Sequence, residues 1–200
     1  INDKTGMTFA NGLTAILRQD PDIIGVGEIR DGKTAEIAIR AAITGHLVLS
    51  TLHTNDAISA VSRLQDIGVE SYMISSALKG VISQRLVRKI CPHCRKPYEP
   101  TPDELKLLGI DEKEEIHLYK GEGCPECHHS GYRGRKAAFE IFTLNRNLRS
   151  MISRGATTEE LFDEARKGDF VTMQECCRKM VLDGTTTVDE ALKAINSTAD

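Results

Sequence analysis

Tryptophan is absent from this 200-residue chain, and aromatic residues make up only 4% of it. A surface that grips single-stranded nucleic acid by stacking has little to build on here. An excess of basic residues is missing too: 26 Lys and Arg stand against 29 Asp and Glu, a net charge of -3. The chain therefore has no global attraction to nucleic acid or to an anionic membrane, and any such contact must come from a local cluster. No apolar run approaches the roughly 20 residues that span a bilayer, and no signal peptide is recognisable. Internal repeats and low-complexity tracts are lacking as well. With 40% apolar and 28% charged residues, what remains is a globular protein of one or two domains that can bury a core, expected in the cytoplasm. It starts at Ile1, inside sequence that already reads as structured, and so reads as a piece of something longer.

Apolar residues Phe9, Leu13, Ile16 and Leu17 recur at helical spacing, and Asp20-Pro21 ends that helix. Residues 22–27 form a short β-branched run, predicted as a strand buried on both faces of a parallel sheet. A helix over 34–43, a second buried strand over 46–52 and a helix over 56–67 complete a βαβ pattern. Residues 71–89 are predicted mostly helical, ending in QRLVRK. The fold class for residues 1–90 is therefore α/β, of a nucleotide-binding type. Composition changes at Cys91. Residues 91–136 hold both CxxC pairs and a charged helical insert near 102–115. Residues 137–200 read as one short strand, 137–142, followed by a helical tail in which Thr157-x-x-Glu160 and Thr187-x-x-Glu190 are candidate capping boxes.

The knuckles CPHC and CPEC place Cys91, Cys94, Cys124 and Cys127 as two pairs of thiolates for one tetrahedral ion. In a cytoplasmic chain, zinc is favoured over disulfides, with an iron–sulfur site or a metal-free remnant as the other readings. His93, His128 and His129 lie near, but four thiolates complete the shell without them. A closed shell folds a subdomain and leaves no open position for catalysis. Cys176 and Cys177, adjacent on a helix, read as packing residues.

GEIRDGKT, residues 27–34, satisfies the phosphate-loop pattern G-x-x-x-x-G-K-[ST], with Lys33 in the lysine position. Two arguments oppose that reading. Glu28 and Asp31 would sit in a loop whose amides must face anions, and the pattern arises by chance in roughly one chain in a hundred of this length. The competing reading is a strand that delivers one acid, Glu28, to the carboxyl edge where open α/β sheets bind ligands. Such an acid would hold magnesium or its waters, unless it is an ordinary acidic strand end.

Residues 6–56 closely resemble the bacterial traffic ATPases of the type II secretion E and type IV pilus assembly B kind, through LRQDPDIIGVGEIRD and TGHLVLSTLHTND. The likeness continues through SSALKGVISQRLVRKICPHC, the second knuckle and GYRGR into the tail. It implies the carboxyl-terminal part of a RecA-like P-loop NTPase core, with LRQDPDxxxxGEIRD as the Walker B region and TGHLVLSTLHTND as a histidine box. By position, Glu28 matches the acid that positions magnesium and its water, and His53 would sense the γ-phosphate. His46 belongs to the same box with a less defined, structural or functional, role. Arg18 and Arg30 are open to either phosphate or protomer contacts, or to surface salt bridges. Arg85 and Arg88, three apart on an expected helical face, either support the nucleotide pocket or form a solvated basic face. In this family Leu-Glu is typical where Gly32-Lys33 stand, which marks the phosphate-loop match as accidental.

The resemblance further implies a homo-hexamer that uses ATP and Mg2+, carries structural Zn2+, and sits peripherally at the inner membrane through a platform protein and a cytoplasmic adaptor. The true phosphate loop and acidic box would lie outside this chain, so the 200 residues alone are expected to be inactive. Pilus-retraction members lack the four cysteines, which favours secretion or assembly; a DNA-uptake motor of the same family stays open. From another class, the basic stretches QRLVRK and YRGRK suggest a zinc-ribbon module for nucleic acid, opposed by the aromatic poverty and negative charge.

Overall fold

The computed structural model describes residues 7–110 and 116–196. The chain divides into two compact units: Ile1–Val81 with Ile141–Phe170, and Ile82–Glu140 with Val171–Thr198. The sequence divides differently, into three consecutive segments, because composition follows chain order and pairing does not.

In the first unit, Thr8 caps helix α1 (Phe9–Ile16) by accepting the amide of Asn11. A 3-10 turn, Leu17–Gln19, extends it, and Asp20 stops it in a left-handed conformation. Strand β1 (Ile23–Val26) pairs in parallel with β2 (Leu47–Ser50), Ile23 opposite Leu47 and Val26 opposite Ser50. Helix α2 (Gly32–Ile43) makes the crossover, and α3 (Ser59–Asp66) and α4 (Ser71–Ala77) follow. Ile24, Val26, Ala35, Ala38, Ile39, Val61, Leu64 and Ile74 join one core with residues of α6 (Arg146–Ser153) and α7 (Thr158–Ala165). The β1–β2 pair is not buried on both faces as expected. Ile24 and Val26 are buried in the core and Val48 packs against it, while Ile23, Leu47 and Leu49 are exposed. Full burial of a parallel sheet needs a layer on each side, and among the described residues one side has none.

The second unit departs furthest from the expected pattern. Helix α4 ends at Ala77, Leu78 is extended, and residues 80–90 form a strand, β3 (Gly80–Ile90), paired with β6 (Tyr132–Thr143). The expected helix through QRLVRK is thus overturned. Its β-branched residues Val81, Ile82, Val87 and Ile90 suit a strand, and pairing with distant residues overrides the local periodicity. Between the two strands lie β4 (Arg95–Tyr98), its antiparallel partner β5 (Leu118–Gly121), and α5 (Pro102–Leu108). Residues 111–115 of the expected helical insert lie outside the described residues. Helices α8 (Met173–Leu182) and α9 (Val188–Asn196) supply Cys177, Met180, Val181, Ala191 and Ala194 to a second core with Val87, Leu118 and Ala138. The capping box at Thr157–Glu160 forms as expected, and others stand at Thr101–Glu104 and Thr172–Glu175. At Thr187–Glu190 only half forms: the Glu190 amide bonds Thr187, but its carboxylate turns to Arg88. No described helix is long and apolar enough to cross a membrane.

Candidate functional site

Parallel pairing brings the carboxyl ends of β1 and β2 to one edge, and the residues that follow them meet there. The amide of Ile29 donates to the Thr51 carbonyl at 3.1 Å, and the Thr51 hydroxyl donates to the Gly27 carbonyl at 2.7 Å. These bonds fix the main chain on both sides of Glu28. Its Oε2 accepts Arg30 Nε at 2.6 Å and lies 3.3 Å from His53 Nε2. A carboxylate only accepts, so this nitrogen of His53 carries the proton. Side-chain exposure is 25% for Glu28, 71% for Arg30 and 62% for His53. The bond from Arg30, helped by His53, holds the Glu28 carboxyl below the usual carboxylate range against the opposing effect of burial. Both bonds fall on Oε2, which leaves Oε1 for a hard cation or a water bound to one, the ligand type that magnesium prefers.

The phosphate-loop look-alike is a helix cap. Asp31 is the N-cap of α2: its Oδ1 accepts the Thr34 amide at 2.9 Å and its Oδ2 the Thr34 hydroxyl at 2.8 Å. A carboxylate thus fills the place a phosphate would need, and those bonds hold Asp31 below its ordinary pKa. Thr34 is buried in this arrangement, and Lys33 is exposed. Gly32 has its own packing reason, since a Cβ there would run into the Ile67 carbonyl oxygen.

The other expected site residues are dispersed. His46 precedes β2, at the opposite end of that strand from His53; its Nδ1 donates to the Ala41 carbonyl at 3.0 Å and closes the end of α2. Arg18 is exposed on the 3-10 turn before β1. Arg85 and Arg88 stand on β3, in the second unit, not on a helix. Three residues apart on a strand, they take opposite faces, which corrects the expected shared face. Arg88 is engaged within its unit: its guanidinium donates to Glu190 Oε1 at 2.6 Å and lies 4.1 Å from the centre of the Tyr132 ring.

In the second unit, Cys91, Cys94, Cys124 and Cys127 place all four sulfurs within 4.8 Å of one another. The separations Cys91–Cys124 and Cys94–Cys127 are 3.9 Å, and Cys124–Cys127 is 3.7 Å. A tetrahedron with metal–sulfur bonds of about 2.3 Å has edges of about 3.8 Å, so the four thiols fit a zinc-sized ion. Main-chain amides of Cys124 and Gly131 donate to Cys127 Sγ at 3.2 and 3.3 Å. Burial raises the Cys127 thiol pKa, but these donors outweigh it and bring it to about 6. At Cys94 burial dominates and pushes the thiol up to about 12. Among the described residues no histidine joins the group. His128 and His129 instead take left-handed turns that close the second knuckle, where Gly121 and Gly131 touch backbone to backbone.

Sequence reading singled out neither Asp31 as a cap nor Thr51 as the clamp on Gly27. Asp31-x-x-Thr34 has capping spacing and was available as a signal, whereas Thr51 has none without the strand register.

Residues 1–193 match the family of type II/IV secretion system proteins. The chain belongs to this family. It is 49% identical over 193 residues to type II secretion system protein E of Pseudomonas aeruginosa, covering 96% of this chain and 38% of that protein. Against the type IV pilus assembly ATPase PilB of Thermus thermophilus it is 48% identical over 194 residues, covering 96% and 22%. Among solved structures, the pilus retraction motor PilT with bound ADP superposes with a TM-score of 0.66 at 30% identity, over 96% of this chain and 44% of that one. The ATPase DotB of Legionella pneumophila shares the fold, with a TM-score of 0.62 at 20% identity. The expected α/β class agrees with these neighbours. The chain spans less than half the length of each of these relatives.

Proposed function

We propose that this chain is the part of an ATP-hydrolysing motor, of type II secretion or type IV pilus assembly, that supplies the magnesium-positioning acid and the γ-phosphate-sensing histidine. The observation that carries the reading is the 3.3 Å approach of His53 to Glu28 at the carboxyl edge of the parallel pair, where ligands of α/β sheets bind. Glu28 would position magnesium and its water through the oxygen that Arg30 and His53 leave open. His53 already presents a proton toward the same place and would pass that contact to a phosphate oxygen. Magnesium, when bound, supplies charge neutralisation on the phosphates. The four thiolates would hold a structural zinc ion, whose closed shell assigns it to folding. In the same reading the whole protein works as a homo-hexamer on the cytoplasmic side of the inner membrane, bound through a platform protein and an adaptor.

Phosphoryl transfer needs a phosphate loop as well as this edge, and in this reading GEIRDGKT, whose Asp31 caps α2, is not one. In the longer protein, Glu28→Gln is expected to lower magnesium-dependent ATP turnover by about two orders of magnitude, and Lys33→Ala to leave it nearly unchanged. The 200-residue chain alone should show no turnover. Turnover by that chain, abolished by Lys33→Ala, would overturn the assignment.

A further inference from the structure

The ion pair on Glu28 is built from unequal partners. Bonds on both sides fix the main chain that carries Glu28: Ile29 N to Thr51 O, and Thr51 Oγ1 to Gly27 O. Ile29, between the two charged residues, is buried, so Glu28 and Arg30 leave the chain on its other side. Arg30, by contrast, is 71% exposed, and its only described polar contact is the 2.6 Å bond to Glu28 Oε2. An exposed pair of this kind is weak and its cationic arm is free to swing. Beside a hard divalent cation a guanidinium on the same carboxylate is a like charge a few ångströms away, which is unfavourable to both.

Resting on the reading of Glu28 as the cation-positioning acid, we propose that Arg30 is a placeholder: from Oε2 it neutralises Glu28 until a nucleotide-bound divalent cation enters at the open Oε1, and the two like charges then compete for the charge of the one carboxylate. The arrangement keeps the acid ionised and aimed without a metal. It also makes cation capture release a cationic side chain at the edge where the phosphates would lie. Arg30 thereby sets how much Mg2+ the site needs, separately from how fast the chemistry runs.

The test uses the longer protein loaded with a non-hydrolysable ATP analogue and Mn2+ as the probe, read by electron paramagnetic resonance, with the Mg2+ dependence of ATP turnover alongside. Arg30→Gln removes the competitor and should lower the half-saturating Mn2+ concentration by roughly two- to five-fold, the range that an exposed ion pair is worth. Arg30→Lys keeps the charge and should stay near the unsubstituted protein. An unchanged or raised half-saturation in Arg30→Gln overturns the placeholder role. Glu28→Gln separates the two levels. If it weakens Mn2+ binding while Arg30→Gln has no effect, the acid stands and the competition falls. If it changes neither binding nor turnover, the reading of Glu28 itself falls.

Discussion

Glu28 and Asp31 lie three residues apart, yet the structure gives them separate work. Glu28 is held out at a sheet edge by Thr51, whereas Asp31 turns inward to cap α2 through both the amide and the hydroxyl of Thr34. The Asp31 contribution is one of stability. Asp31→Ala removes the cap and leaves the buried Thr34 hydroxyl without its acceptor, at a cost of about 1–2 kcal/mol. Urea denaturation of the 200-residue chain at neutral pH should show that loss, and Asp31→Asn, which still caps, should recover most of it. Equal stability of Asp31→Ala and the unsubstituted chain would mean that the amide of Thr34 finds another partner. Lys33, exposed on the same turn, should be silent in the same measurement.

At the scale of elements, legibility in the sequence followed the range of the interactions involved. Helix α2, strands β1 and β2 and the two cysteine knuckles are written in spacing over ten residues or fewer, and each stands where expected to within a few positions. The edge that joins Glu28 to His53 depends on the register of Ile23 against Leu47, which periodicity does not contain; only the family resemblance put the two residues in one site. Strand β3 (Gly80–Ile90) reads as helix from the sequence because its partner β6 begins only at Tyr132, and a mixed run such as QRLVRK satisfies either period until that partner is known. The same long range hides the ion pair of Arg88 with Glu190, residues 102 apart in sequence. Glu190 is nearly buried, and the Arg88 guanidinium, with help from Lys193, holds its carboxyl down to about 2 against the cost of burial. A carboxyl depressed on folding stabilises above its unfolded pKa and loses that contribution as pH falls through the folded one. Glu190→Gln should therefore be less stable than the unsubstituted chain by about 1–2 kcal/mol at pH 7, less than a fully buried pair because Arg88 is half exposed. The gap should narrow between about pH 4.5 and 2. Denaturation curves of both proteins across that range check it, since the other carboxylates and the thiols cancel in the difference. A gap independent of pH would assign the effect to packing.

At the scale of the molecule, each unit has its own apolar core, and the chain passes from the first to the second within β3, returns within β6 and crosses again after Phe170. The cysteine site lies wholly in the second unit, at the end of β3 and the start of β6, where turns closed by His128, His129 and Gly131 bring the sulfurs together. The four sulfurs lie within 4.8 Å of one another, three pairs of them at 3.7–3.9 Å, and burial opposes ionisation at Cys94 and Cys124, so a bound cation is what would hold all four as thiolates. Metal binding in such a site is folding free energy for whatever the site staples. With zinc in the site as proposed, a strong chelator should accordingly loosen one unit and spare the other. Amide hydrogen exchange resolves this directly: protection is expected to fall in β4, β5, α8 and α9 and to persist in α2 and α6. Cys127→Ser, which loses the sulfur that the amides of Gly131 and Cys124 bond, should reproduce that pattern without chelator. Uniform loss of protection across both units would show that they fold as one, and no loss anywhere would show that the thiols hold their turns without an ion.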